Sequence, residues 1–307
     1  MQEPSENSPQ LRDSYAFCRR FSRHAHSSFY ASFCRLPPAK RRAMHALYAF
    51  MRYSDDLGDN DLPTADRRAA LHQWRGALDE ALVGRLDEKQ RAPFPSAADH
   101  DLLAGGRPLL PALADTVRQF SIPAEYLHAV IDGQEMDLDA VRYDSFAQLA
   151  GYCEKVASAV GLACIHVWGI RGAGALEPAR KCGIAFQLTN ILRDLQEDAA
   201  RGRVYLPGDD LRQCGYSADE LARGVVDDRF RALVAMEIGR ARRLYDDAAE
   251  LRAWLDRDGR RIFGMMHQTY RQLLETIAGR VDALFQGRVR VSRWRKMQIA
   301  ARWLVLP

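Results

Sequence analysis

Apolar residues recur at three- and four-residue steps along nearly the whole of this 307-residue chain. No stretch sustains the β-branched and polar alternation that a half-buried strand requires. That period predicts an all-α fold. Ala43, Met44, Ala46, Leu47, Phe50 and Met51 mark one such helix, which must begin after Pro37-Pro38 because that pair cannot lie inside one. Further helices are predicted over residues 64–82, 111–120, 123–134, 146–170, 178–200, 227–255 and 259–285. Residues 85–111, with Pro93, Pro95, Pro108, Pro111 and Gly105-Gly106, are the one candidate boundary. They read as a surface excursion within a single domain rather than a hinge, since helices of ordinary period lie on both sides.

Composition narrows the classes. A chain that is 47% hydrophobic and 27% charged is neither disordered nor membrane-embedded. Forty-four Lys and Arg against 40 Asp and Glu leave a net charge of +4, with both signs interspersed, so no nucleic-acid partner is expected. Met1 to Gln10 is polar and shows no secretory signal. Residues 156–170 are too short, and too interrupted by Ser158, Gly161, His166 and Gly169, to span a membrane, which takes about 20 apolar residues. Six scattered cysteines without a C-x-x-C pair read as reduced thiols of a cytoplasmic protein.

Two segments carry chemistry. In YAFMRYSDDLGDND, Tyr48, Arg52, Asp55 and Asp59 are spaced four, three and four apart and share a helix face within about 60°. A solvated helix could carry such charges innocently, but these extend from a strongly apolar helix whose other face must pack. In GIAFQLTNILRDLQEDAARGRVYLP, Gln187, Asn190, Asp194 and Asp198 share a face within about 80° by the same count. Burying unpaired carboxylates is expensive, and a cation would relieve that cost. Oxygen ligands without a His or Cys pattern suit Mg²⁺, which prefers a few carboxylates plus substrate phosphates and water. Two stripes facing one another across a cavity would suit a diphosphate held by several Mg²⁺ ions. No P-loop, trustworthy Ser-His-Asp order or H-E-x-x-H is present, and Gly172-Ala173-Gly174 lacks the context of a dinucleotide site.

At these residues the sequence resembles the squalene/phytoene synthase family, the head-to-head prenyl synthases. The family's R-x-x-D-D-x-x-D is matched by Arg52 to Asp59, and its Q-x-x-N-x-x-R-D-x-x-x-D by Gln187 to Asp198. The likeness extends to SSFYASFCRLP, DGQEMDLD, YCEKVASAVGL, RGRVYLP and MMHQTYRQLLETI, so it covers roughly residues 14–295. It implies a synthase domain over 14–295 between a flexible tail at 1–13 and a C-terminal tail at 296–307. The implied fold is a single-domain helical bundle of the class I isoprenoid synthase type with a central cavity. The implied reaction is Mg²⁺-dependent condensation of two prenyl diphosphates.

Carried over by residue, the resemblance makes Asp55, Asp59, Asn190, Asp194 and Asp198 metal residues, with Asp56 adjoining them. Ser28, Tyr48, Arg52, Gln187, Arg193 and Tyr270 would contact substrate, and Tyr152 would act with the aspartates in catalysis. Gly58 departs from the family, which usually has an apolar residue there; a helical glycine costs about 1 kcal/mol, so the first stripe is expected near a helix end.

The segment around SSFYASFCRLPPAKRRAMHALYAF looks closer to the fifteen-carbon branch. The bulk of Phe29, Tyr30, Phe33 and Phe50 would shorten a tunnel there. Two farnesyl diphosphates giving presqualene diphosphate, and onward a thirty-carbon squalene-type product, is therefore the expectation. The alternatives are phytoene synthesis from geranylgeranyl diphosphate, a class I terpene cyclase and a non-catalytic helical assembly factor. A cyclase would normally carry Ser or Thr and then Glu where this chain has Asp194 and Asp198, and an assembly factor would have lost the intact stripes. NADPH use is left open.

Two segments keep two readings each. RGRVYLP reads as a lid over the diphosphate or as an ordinary helix stop. The tail GRVRVSRWRKMQIAARWLVLP sets Arg288, Arg290, Arg293, Arg295 and Lys296 beside Trp294, Met297 and Trp303. It can lie peripherally on an anionic membrane surface or cap the bundle. His24 and His26 read as surface residues rather than ligands.

Overall fold

A computed structural model describes residues 8–24, 33, 36–85, 107–139 and 142–305. Among them every regular element is helical; the only sheet-like pairings are isolated bridges between Arg142 and Val204 and between Ile170 and Leu255. The all-α expectation holds. The chain divides into two compact units, one of residues 1–138 with 166–168, the other of residues 139–165 with 169–307.

The first unit holds α1 (Pro9–His24), α2 (Pro38–Asp59), α3 (Thr64–Leu82), α4 (Leu110–Gln119) and α5 (Ala124–Met136). Helix α2 starts at Pro38, whose fixed φ and missing N–H suit a first helical position. It buries Ala43, Met44, Ala46, Leu47 and Phe50 against its neighbours. Phe50 stacks on Trp74 of α3 with ring centroids 5.7 Å apart, and Tyr53 meets the same indole edge-on at 4.7 Å. The indole N–H is satisfied in that apolar setting by Ser54 Oγ at 3.0 Å, which in turn donates to the Phe50 carbonyl. Phe50 is thus a core residue of this unit. Most of the proline-rich excursion, residues 86–106, lies outside the described residues, as do Ser28, Phe29, Tyr30, His26 and Cys34. His24 is exposed at the end of α1.

The second unit holds α6 (Phe146–Cys153), a π-helical turn (Glu154–Ser158) and most of α7 (Ala159–Trp168). Next come α8 (Leu176–Arg193), α9 (Leu195–Ala200), α10 (Gly208–Gln213), α11 (Ala218–Ala222) and α12 (Asp228–Ala248). The chain closes with α13 (Leu251–Trp254), α14 (Arg257–Ala278) and α15 (Arg293–Val305). Ser145, Ser217 and Asp227 cap α6, α11 and α12 by accepting backbone N–H groups. Tyr245, Phe230 and Phe263 lie fully buried in its core. Helix α15 packs on α14: the Trp303 ring occupies the space a Cβ on Gly264 would need, its Nε1 donates to Gln268 at 2.7 Å, and Ile299 is buried. Trp294 and Met297 remain exposed on the same helix. The five described cysteines are free thiols, and no described helix is long and apolar enough to cross a membrane.

Candidate active site

The first stripe lies on the last three turns of α2. Tyr48 is half-buried, with Phe33 edge-on at 6.2 Å; Arg52 reaches one turn on to Asp56 at 2.6 Å; Asp59 is the exposed final residue of the helix. The stripe therefore does end a helix. Asp55 points inward and accepts a hydrogen bond from Gln134 Nε2 at 2.7 Å. Desolvation pushes its carboxyl up to about 7, with Arg52 opposing and Asp59, Asp56 and Asp137 adding to the rise. A positive charge beside it would favour the ionised form that burial disfavours.

The second stripe differs from the expectation of one continuous helix over residues 178–200. The backbone at Asp194 leaves helical geometry (φ −105°, ψ 12°), so Gln187 and Asn190 lie on α8 whereas Asp198 lies on α9. Asp194 sits at the joint, where its N–H still donates to the Asn190 carbonyl and its carbonyl accepts from Asp198 N, both at 2.9 Å. Two guanidinium groups hold its side chain. Arg193 donates from Nε to Oδ1 at 2.8 Å, and Arg288 binds both oxygens, at 2.9 and 3.1 Å. Arg288 is a residue that sequence reasoning assigned to the basic tail; a partner 94 positions away leaves no local signal.

Asn190 donates from Nδ2 to Gln187 Oε1 at 3.3 Å, while its own Oδ1 is buried and accepts nothing among the described residues. An orphaned buried acceptor is costly, and a hard cation is one partner that would satisfy it. Taken unit by unit, Asp55, Asp56 and Asp59 on α2, and Asn190, Asp194 and Asp198 on α8 and α9 and at their joint, offer oxygens of the donor type that Mg²⁺ takes. No group of three described acidic, His or Cys side chains converges into a self-sufficient cation cage. Mg²⁺ commonly completes its shell with phosphate oxygens and water.

The aromatic residues line up in two sets. Tyr270 of α14 stacks face to face on Phe186 of α8 at 4.2 Å, and burial raises its phenol pKa against the pull of nearby Arg193. Tyr152 is 2% exposed and forms a three-ring cluster, stacked on Tyr205 at 5.4 Å and tilted against Tyr143 at 5.5 Å, with Tyr143 and Tyr205 themselves 6.4 Å apart. RGRVYLP supplies Tyr205: Arg201 ends α9, Gly202 turns at φ +71°, and Val204, Tyr205 and Leu206 are buried. That is the geometry of a helix stop anchored in the core.

The family model described as squalene/phytoene synthase matches residues 22–295. The chain is 33% identical over 306 residues to a 15-cis-phytoene synthase of Synechococcus elongatus, covering 96% of this chain and 93% of the relative. It is likewise 33% identical over 284 residues to a presqualene diphosphate synthase of Rhodopseudomonas palustris, covering 91% and 94%. A solved dehydrosqualene synthase bound to a ligand is 28% identical, with a TM-score of 0.82 over 96% of each chain. A squalene synthase from Alicyclobacillus acidocaldarius is 26% identical, with a TM-score of 0.76 over 92% of this chain and 97% of the other.

Proposed function

The chain belongs to the squalene/phytoene synthase family, and from that premise we propose that it condenses two farnesyl diphosphates head to head to presqualene diphosphate. A thirty-carbon squalene-type product can follow from that stage. The observation that carries the reading is the pair of oxygen stripes, with the buried Oδ1 of Asn190 lacking any described partner.

In the proposed reaction the allylic C–O bond of one substrate breaks and the electron pair leaves with diphosphate. The double bond of the second substrate forms the new C–C bond to the allylic cation, and loss of one proton closes the cyclopropane. Bound Mg²⁺ would supply positive charge to the departing diphosphate. Asp55, Asp56, Asp59, Asn190, Asp194 and Asp198 would hold it. Arg52 and Arg193 would orient diphosphate oxygens, with Ser28, Tyr48, Gln187 and Tyr270 completing the substrate contacts. The Tyr152 hydroxyl would take the proton or orient the diphosphate that does, inside an aromatic stack that keeps water from the cation.

Phe33, 2% exposed beside Tyr48, supports the shorter substrate, as does the likeness to a dehydrosqualene synthase. The equal identity to a 15-cis-phytoene synthase favours a second reading, condensation of two geranylgeranyl diphosphates. Exposed Trp294 and Met297 beside Arg290 and Arg293 support peripheral contact with an anionic membrane that carries such substrates. Product analysis of the purified chain with farnesyl diphosphate and Mg²⁺, with and without NADPH, tests the proposal. Presqualene diphosphate or a thirty-carbon hydrocarbon is expected; release of farnesol or a cyclic fifteen-carbon product would refute it.

A further inference from the structure

Position 58 lacks a side chain, and the space is taken by a neighbour. A Cβ on Gly58 would come 2.8 Å from Oε1 of Gln134 on α5 and 3.5 Å from its Cβ, so any larger residue would displace that amide. Gln134 is 9% exposed and donates from Nε2 to Oδ1 of Asp55 at 2.7 Å. Residues 55 and 58 are three apart and share a face of α2, so one amide spans them, its oxygen over the glycine and its nitrogen on the carboxylate. The orientation is set by chemistry, since a flipped amide would point oxygen at oxygen. Arg67 fixes the same helix end by donating from Nη1 to the Gly58 carbonyl at 2.8 Å.

An amide is a particular choice of partner. Asp194 is held by guanidinium groups, which compensate its charge; Gln134 holds Asp55 with a neutral donor that brings no compensating charge of its own. Among the described residues no other hydrogen bond reaches this carboxylate.

We propose that Gln134, admitted by the missing Cβ of Gly58, is a positioning residue that holds Oδ1 of Asp55 and leaves Oδ2 to Mg²⁺. The proposal rests on the reading of Asp55 as a metal ligand. Groups that hydrogen-bond to metal ligands set metal affinity, and their loss commonly weakens it about 10- to 100-fold.

Melting of the full chain over a Mg²⁺ series at fixed inorganic diphosphate gives an apparent Mg²⁺ affinity independent of turnover. Gln134→Met keeps an unbranched side chain without the donor, and should weaken that affinity about tenfold or more while the melting temperature without Mg²⁺ is retained. Gly58→Ala should do the same although alanine is the better helix former. In a Gln134→Ala background Gly58→Ala should add nothing. Wild-type linkage to Mg²⁺ with unaffected Gln134→Met, or losses that add in the double variant, would overturn the proposal alone. Absence of linkage in the wild type would overturn the metal reading of the first stripe and this proposal with it. Should Gly58→Ala fail to fold, Gln134→Met decides.

Discussion

Gly183 of α8 lies so close to Ser158 that a Cβ on it would come 2.4 Å from the Ser158 Cα and 2.5 Å from its nitrogen. Ser158 closes the π-helical turn and donates from Oγ to the Arg180 carbonyl at 2.7 Å, so backbone meets backbone there with no flexible atom to yield. Gly183→Ala should therefore destabilise the chain by about 1–3 kcal/mol, the usual range for overpacking. It should also lower activity, because α8 carries Gln187 and Asn190. A thermal melt checks it; an unchanged melting temperature would mean that α8 and the turn are not in register as described.

Asp59→Asn and Asp194→Asn keep shape and remove charge. Each should cut turnover by orders of magnitude while the fold persists, as expected where charge stabilises a departing diphosphate. Asp59→Asn should melt close to wild type, and Asp194→Asn somewhat lower because Arg193 and Arg288 lose their carboxylate. Near-normal turnover of Asp194→Asn at ordinary Mg²⁺ would remove Asp194 from the site.

Tyr152→Phe preserves the ring that packs with Tyr143 and Tyr205 and deletes only the hydroxyl. Single-turnover assays should show a lost rate with little change in stability. The reverse outcome, retained activity and a lower melting temperature, would make Tyr152 a packing residue.

Glu237 is fully buried on α12 with Oε2 unpartnered, and its other oxygen is paired with Arg240, which also binds Asp210. Burial first, then Asp210, pushes its carboxyl up to about 7. The unfolded chain ionises near the ordinary glutamate value, so between about pH 4.5 and 7 the folded state holds the extra proton. Stability from this group is present below that window and falls as pH rises through it, by at most about 1.4 kcal/mol per pH unit. Glu237→Gln should flatten the decline and melt no lower than wild type at pH 8, as denaturant titrations across pH would show.

Much of this was legible in the residues. Thr64–Leu82 forms the predicted helix to its ends, because Pro63 sets its start and the apolar period is uninterrupted. The first stripe was legible for the same reason. The break at Asp194 was not: NILRDLQED contains no glycine or proline, and the carboxylate at the joint is bound by Arg288 from far along the chain. The π-turn at Glu154–Ser158 is equally silent, since its packing partner is Gly183. Gly58 was visible as a departure, but its use lies in Gln134, a contact made only by folding.

Competition between the two substrates reads the chain-length choice of the enzyme. The purified chain, given Mg²⁺ with equal farnesyl and geranylgeranyl diphosphates, should convert the fifteen-carbon substrate with the higher kcat/KM and yield presqualene diphosphate or a thirty-carbon hydrocarbon. A misfit of one methylene is worth about 1–3 kcal/mol in an apolar pocket, and five extra carbons should widen that margin. A dominant forty-carbon product would instead make geranylgeranyl diphosphate the substrate and rule out the fifteen-carbon assignment.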